Sequence, residues 1–388
     1  VGGTPYHHAG LPLADTLIQV PTSNAADALV AGTIDVGSPG NNRILPVTPP
    51  QTSADITPAN GYTLAEVPRG SGGGNCITTF AFHLWQYGTP VNTIGALPPD
   101  APYTHELFGD PTPVDPDGAG PLGPMARGKV VRRAVSMAID RAEVVSGLSF
   151  GKDAVPDSPY HSNLPPYQAQ PAMPTFDAAT ASLWLDNAGW PVSGSPAIRR
   201  ANFTTTTPGG TVTPGTPLAW AMRRTSGGQD DFYQAMKTRL AAVGIDVGAG
   251  SGVHAEVAVD SSTQTTGALV GGNRNYDMLS VSFCAGDDPV IGVRRQYHSD
   301  GLPASGSPSA FTNPAGVRST VMDGLWNTAF GADYTPKHRQ IQAISADEAF
   351  QIYWNQGTTK RAWKTSRCGG FNNFNTGLYV ETGNCSAT

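Results

Sequence analysis

An α/β fold is the class that this sequence predicts, on three observations. A local grammar of helix, glycine and strand recurs, in "NAADALVAGTIDVG" and again in "DDFYQAMKTRLAAVGIDVGAG". Short apolar runs rich in β-branched and aromatic residues stand between the helical segments. Glycine and proline, 46 and 34 of them, are dense enough to require long loops and many turns. Helix, glycine and strand in succession form the crossover unit of α/β architecture. The 388 residues suffice for two or three domains with sizeable cores.

Each element has a local cause. "DTLIQV" predicts a strand. "NAADALVAGTIDVG" runs from an Asn24 cap through Ala28 and Leu29 to Gly32, then switches to period two at Ile34 and Val36. "CITTFAFHLW" predicts a strand starting at Cys76. From Gly88 to Gly128 there is no periodicity, which predicts a long loop or excursion dividing the chain. In "VRRAVSMAIDRAEVVSGL", a single helix would put Val131, Ala134, Val135, Ala138 and Ala142 on one apolar face. The favoured reading is two helices meeting at Asp140, whose carboxylate accepts the free N–H groups of the next turn. Glu143 would then reach back as in a capping box. A solvated charge pair on one long helix is the other reading.

"FDAATASLWLDNAGW" predicts a helix capped by Asp177 and stopped at Gly189. "TTTTPGGTVTPGTP" predicts a hairpin turn or exposed loop, and "PLAWAMR" a strand. Farther on, Phe232, Met236, Leu240 and Val243 form a helical stripe that Gly244 ends, with Ile245 and Val247 beginning a strand. "YDMLSVSF" and "FQIYW" predict two more strands.

Charged residues make up only 14% and the net charge is -6, so Thr, Ser, Asn, Gln and Gly must cover much of the surface. With aromatics present throughout, this is not a disordered composition. The arginine pairs in "VVRRA", "AIRRA" and "MRRTS" stand alone, too sparse a pattern for nucleic acid. No apolar run reaches the roughly eighteen residues that span a bilayer. The chain shows no signal peptide, so export would mean that a targeting segment has been removed. Four cysteines without Cys-x-x-Cys or His-x-x-x-His spacing suggest no zinc site, and no metal is expected. Two disulfides in an exported protein suit the low charge and high threonine content; buried free thiols in a cytosolic protein are the alternative.

Catalytic patterns are weak. "RGSGGG" lacks the Gly-x-Ser-x-Gly order of a nucleophile elbow, and "GAGSGV" is followed by no helix that would make it a dinucleotide site. His7–His8 is a surface pair near an end of the chain. No catalytic residue, no cofactor and no enzymatic activity are expected; a secreted hydrolase is the least favoured alternative.

Six motifs stand in one order. Val131, Arg132, Arg133 and Ala134 lead to Ala138, Ile139, Asp140 and Arg141. "GLPLADTLIQV" with "ALVAGTIDVG", "FDAATASLWLDNAGW", "RLAAVGIDV", "YDMLSVSFCAGDDP" and "KHRQIQAISADEAFQIYW" complete the set. Together they resemble the extracytoplasmic solute-binding proteins of ABC importers, in the large peptide/nickel/oligosaccharide-binding family, family 5. That resemblance implies a two-lobed, periplasmic-binding-protein-like α/β fold of type II. It implies remaining lobe-one structure with a hinge strand in 1–100, a Pro/Gly-rich excursion in 101–128, lobe two in 129–352, and a return to lobe one with a tail in 353–388. It also places Asp140 at a structural helix junction away from ligand.

By the same resemblance, an aspartate after Tyr-Asp-Met holds a ligand α-ammonium. The spacing here is one residue short, so Asp287 is the first candidate and Asp288 the second, although "GDDP" is equally a turn. Phe283 is either an apolar cleft wall or an ordinary core residue. Relatives with a disulfide between these two regions imply Cys76–Cys284, leaving Cys368–Cys385, which closes a short tail loop. The expected function is extracytoplasmic capture of a peptide-like or other small polar solute for an ABC transporter permease. Compared with the family, the chain starts where a long N-terminal portion and a small extra domain would be ending. A groove open near Asp287 and feeble solute binding are therefore expected of it alone, with a second chain or subunit as a further expected partner. A structural or assembly protein reusing a shortened scaffold is the rival reading.

Overall fold

The structure, a computed structural model, describes residues 25–34, 36–37, 55–67, 76–149, 151, 153–162, 164–224, 228–247, 274–284, 292–302, 313–357, 359–366, 368–369 and 384–385. "DTLIQV", His7–His8, "RGSGGG" and "GAGSGV" lie outside the described residues. The chain divides into two compact units, Val1–Gly74 with Thr358–Thr388, and Asn75–Gly357.

In the first unit, helix α1 (Ala25–Ala31) ends at Gly32, whose φ of 73° favours a residue without a Cβ. β1 (Val36–Gly37) pairs antiparallel with β13 (Thr359–Lys364), which pairs antiparallel with β2 (Tyr62–Val67). Ala26 and Leu29 of α1 pack against Ile56, Tyr62 and Ala362 as a small core.

The second unit is built on a four-stranded sheet. Its order is β10 (Met222–Arg223), β11 (Met278–Cys284), β3 (Cys76–Phe82) and β12 (Gln351–Gln356). β10 and β11 run parallel, and helix α6 (Gly228–Ala242) lies between them in sequence, which is the expected crossover. β3 is antiparallel to both of its neighbours. The register of β12 shifts between Tyr353 and Asn355. The Trp354 indole at that irregularity stacks on Phe232 of α6 at 5.3 Å and meets Phe80 edge-on at 5.0 Å. Helix α3 (Arg127–Met137) packs on α5 (Ala178–Asn187), α4 (Arg141–Ser149) on α6 and β12, and α8 (Thr320–Trp326) on α9 (Tyr334–Glu348). A single turn of helix, α7 (Arg294–Tyr297), brings Tyr297 to Tyr353, hydroxyl to hydroxyl at 2.6 Å.

α3 and α4 are separate helices, as the Asp140 reading predicts. Asp140 Oδ1 accepts the Glu143 N–H at 2.9 Å. The reciprocal half of the capping box is a correction: the Glu143 carboxylate meets Arg239 of α6 at 2.5 Å instead of folding back. Asp177 caps α5 as predicted, accepting the Thr180 N–H at 2.9 Å. "TTTTPGGTVTPGTP" forms the hairpin β8 (Thr205–Thr207) and β9 (Gly210–Val212), and a smaller ribbon joins β6 (Val192–Ser193) to β7 (Ile198–Arg199).

Two further expectations need correction. Ile245 and Val247 are buried but are not in a strand. The Ile245 N–H is used in closing α6, bonded to the Leu240 carbonyl at 3.0 Å, and the Gly244 carbonyl accepts the Arg199 N–H at 2.7 Å. The first N–H of the expected strand is thus drawn into the helix end instead of a ladder. The Gly88–Gly128 span, aperiodic in sequence, is ordered: it carries α2 (Val91–Ala96) and the ribbon of β4 (Pro113–Val114) with β5 (Met125–Ala126). His105, Glu106, Leu107, Phe108 and Asp110 within it are buried. α3 starts so close to this segment that a Cβ on Gly128 would lie 2.5 Å from the Phe108 carbonyl oxygen.

Candidate functional site

β3 and β11 pair without interruption from Cys76 opposite Cys284 to Phe82 opposite Met278. The register therefore places those two cysteines across from each other at one end of the sheet. β14 (Cys368–Gly369) and β15 (Asn384–Cys385) do the same for Cys368 and Cys385. Phe283 is opposite Ile77, and both belong to the main core, the first 6% exposed. Core packing is the more ordinary of the two roles open to Phe283. Asp287 and Asp288 follow this strand end and lie outside the described residues.

At the other end of the same strands, the aspartate of Tyr-Asp-Met has a definite job. Asp277 Oδ1 lies 3.0 Å from His105 Nε2, and Oδ2 accepts the Ala221 N–H at 2.7 Å. His105 Nδ1 accepts the N–H groups of Leu107 and Phe108 at 3.1 and 3.3 Å, so the ring proton is assigned to Nε2 and points at Asp277. Burial opposes a charge on this ring, but Glu106 and Asp277 together raise its pKa above the ordinary histidine value. The pair ties the aperiodic segment to the start of β11 and the end of the run into β10. Sequence reading missed it because His105 sits where no period marks a buried position.

The second unit also holds a cavity of about 590 Å³. Tyr103, Phe108 and Phe350 supply apolar wall, and Lys129, Arg132 and Arg318 supply charge. Burial pushes the Tyr103 phenol up to about 12, so it is a neutral group at physiological pH. The Phe350 carbonyl accepts the Phe82 N–H at 3.1 Å, which puts the cavity at the end of β3 away from Cys76. Its polar groups are largely engaged: Arg132 donates to the Glu348 carboxylate and to the Glu348 and Phe108 carbonyls. Among the described residues, no group of three or more His, Cys, Asp or Glu is arranged to hold a metal ion.

The family model described as bacterial extracellular solute-binding proteins, family 5 middle, matches residues 6–287, well over half of the chain. Solved structures of this kind are similar in fold. The oligopeptide-binding protein AppA from Bacillus subtilis, in complex with a nonapeptide, superposes with a TM-score of 0.62 at 15% identity, covering 93% of this chain and 58% of AppA. For the periplasmic binding protein DppA from Helicobacter pylori, in complex with the peptide STSA, the TM-score is 0.60 at 13% identity, over 94% of this chain and 56% of DppA. NikZ from Campylobacter jejuni, in complex with Ni(L-His), gives 0.59 at 12% identity, over 89% and 55%. The chain thus spans little more than half the length of the proteins it superposes on. No curated protein matches it.

Proposed function

The chain belongs to the bacterial extracellular solute-binding proteins of family 5, and from that premise we propose that it captures a peptide-like or other small polar solute outside the cytoplasm and presents it to an ABC importer. The observation that carries this reading is the family match across residues 6–287, which takes in the Tyr-Asp-Met segment and Asp287. Asp287, or Asp288 beside it, would hold the ligand's ammonium group. A charge-assisted bond of this kind gives both affinity and orientation. The cross-strand registers and the disulfide-bonded state of Cys76 support bridges Cys76–Cys284 and Cys368–Cys385. Such bridges would suit an oxidising, extracytoplasmic location.

Calorimetry against defined tri- to pentapeptides, with and without a blocked N-terminus, tests the reading. The expected result is binding that is lost when the peptide amine is acetylated and weakened roughly tenfold or more by Asp287→Asn or Asp288→Asn. A folded protein that binds neither peptide nor any sugar or amino-acid mixture would overturn it. Non-reducing peptide mapping checks the bridges. Recovery of four free thiols, or of Cys76 linked to Cys368, would rule them out.

A further inference from the structure

We propose that the cavity at the end of β3 away from Cys76 binds a small organic anion, a carboxylate on an apolar body, and that Arg318 receives the carboxylate. The cavity has a volume of about 590 Å³, within the range of small-molecule sites. Pro124 and Ala126 in its lining are exposed, which opens it to solvent. Arg318 lines it and is only 7% exposed. Its Nη1 and Nη2 donate to the Gly95 and Leu97 carbonyls at the end of α2, at 3.2 and 2.5 Å. Its Nε is buried and has no hydrogen-bond partner.

The charges around the cavity decide the class of ligand. Lys129 and Arg132 both hold the Glu348 carboxylate at 3.0 Å, and Arg127 holds that of Asp110 at 2.7 Å. The two oxygens of Asp100 accept the N–H and the hydroxyl of Thr320, at 3.0 and 2.5 Å. Of the three cations in the lining, Arg318 alone has no ion-pairing carboxylate among the described residues; its partners are carbonyls. A guanidinium withdrawn from water is costly unless opposite charge meets it. A ligand carboxylate would supply that charge and accept the idle Nε hydrogen in one charge-assisted bond. Tyr103, Phe108, Met322 and Phe350 line the same space, and an apolar ring or short chain would cover them. Inorganic phosphate would meet the charge and leave those walls wet. Solute capture at Asp287 calls for a cationic group, so the sign of a probe's charge tells the two sites apart.

Calorimetry on the full chain with para-bromobenzoate tests the assignment, beside the neutral para-bromobenzamide of the same shape. Saturable binding of the benzoate is the expected result, with the benzamide roughly tenfold weaker or more. Arg318→Met should weaken the benzoate by a similar factor and leave the benzamide unchanged. Should this variant fail to fold, Met322→Trp, which fills the cavity from its apolar side, should abolish binding of both probes. In crystals of the wild-type chain soaked with the benzoate, the anomalous bromine peak should fall among Tyr103, Phe108 and Phe350, with the carboxylate at Arg318 Nε. Equal affinity for benzoate and benzamide, binding at crystal concentration only, or a bromine peak outside this cavity would overturn the proposal.

Discussion

Asp140 and Arg141 are neighbours in sequence and differ entirely in reach. Asp140 bonds the N–H three residues on, a local contact that its spacing from Glu143 already announces. Arg141, 9% exposed, donates to the carbonyls of Pro156, Tyr353 and Pro174 at 3.3, 2.8 and 3.2 Å. Tyr353 lies beside the irregularity in β12, where a buried carbonyl needs a donor from outside the ladder. Urea denaturation should separate the two roles. Asp140→Ala is expected to cost about 1 kcal/mol, the usual worth of an N-cap. Arg141→Met should cost about 3 kcal/mol, because it leaves several buried acceptors without donors. Equal losses would mean that Arg141 does not act as an internal brace. A glycine makes the same point about reach. Gly316 has a φ of 77°, and a Cβ on it would lie 2.4 Å from Trp85 Cδ1, so Gly316→Ala is expected to destabilise by more than about 1 kcal/mol in the same assay.

At the scale of elements, the contact between α3 and α9 shows how a charge pattern acquires its purpose. α9 ends in Asp347 and Glu348, acidic residues at the negative end of a helix dipole, where they are unfavourable by themselves. α3 supplies the remedy. Arg132 Nε donates to the Glu348 carbonyl and Nη2 to its carboxylate, both at 3.0 Å. Arg133 donates to the Asp347 carbonyl at 2.7 Å, and Lys129 reaches the Asp347 and Glu348 carboxylates at 2.5 and 3.0 Å. The arginine pair that is too sparse for nucleic acid is thus a C-terminal cap delivered by another helix. A double-mutant cycle with Arg132→Met and Glu348→Gln should give a coupling above about 1 kcal/mol, since Arg132 is almost wholly buried. Additive losses would show that the carboxylate contributes nothing beyond the backbone carbonyls.

Over the whole molecule, the buried phenols set a limit on stability at high pH. Burial raises the pKa of Tyr103 to about 12, and it raises those of Tyr276, Tyr297 and Tyr353 above the ordinary tyrosine value as well. In the unfolded chain all four would ionise near pH 10. Between pH 10 and 12 the unfolded state therefore binds fewer protons than the folded one. The stabilisation that is complete below pH 10 is lost as pH rises through that window. Thermal midpoints measured from pH 8 to 11 should hold level and then fall steeply, with phenolate absorbance from these residues appearing only on unfolding. Full phenolate absorbance before unfolding would contradict their burial.

By itself the sequence determined the α/β class, the helices that end at Gly32, Gly189 and Gly244, the favoured break at Asp140 and the order of family motifs, and it left "TTTTPGGTVTPGTP" open between a hairpin turn and an exposed loop. The helices and their ends rest on contacts a few residues apart, and periodicity and caps record such contacts directly. Tertiary structure alone decided the rest. His105 and Asp277 are 172 residues apart, Arg132 and Glu348 216, and Arg141 and Tyr353 212. No local pattern links the members of those pairs. The strand expected after Gly244 is absent among the described residues, where the Ile245 N–H bonds the Leu240 carbonyl at the helix end and the Gly244 carbonyl accepts from Arg199, 45 residues away. The ordered Gly88–Gly128 span shows the converse, because a segment without period can be buried when distant side chains satisfy its polar groups.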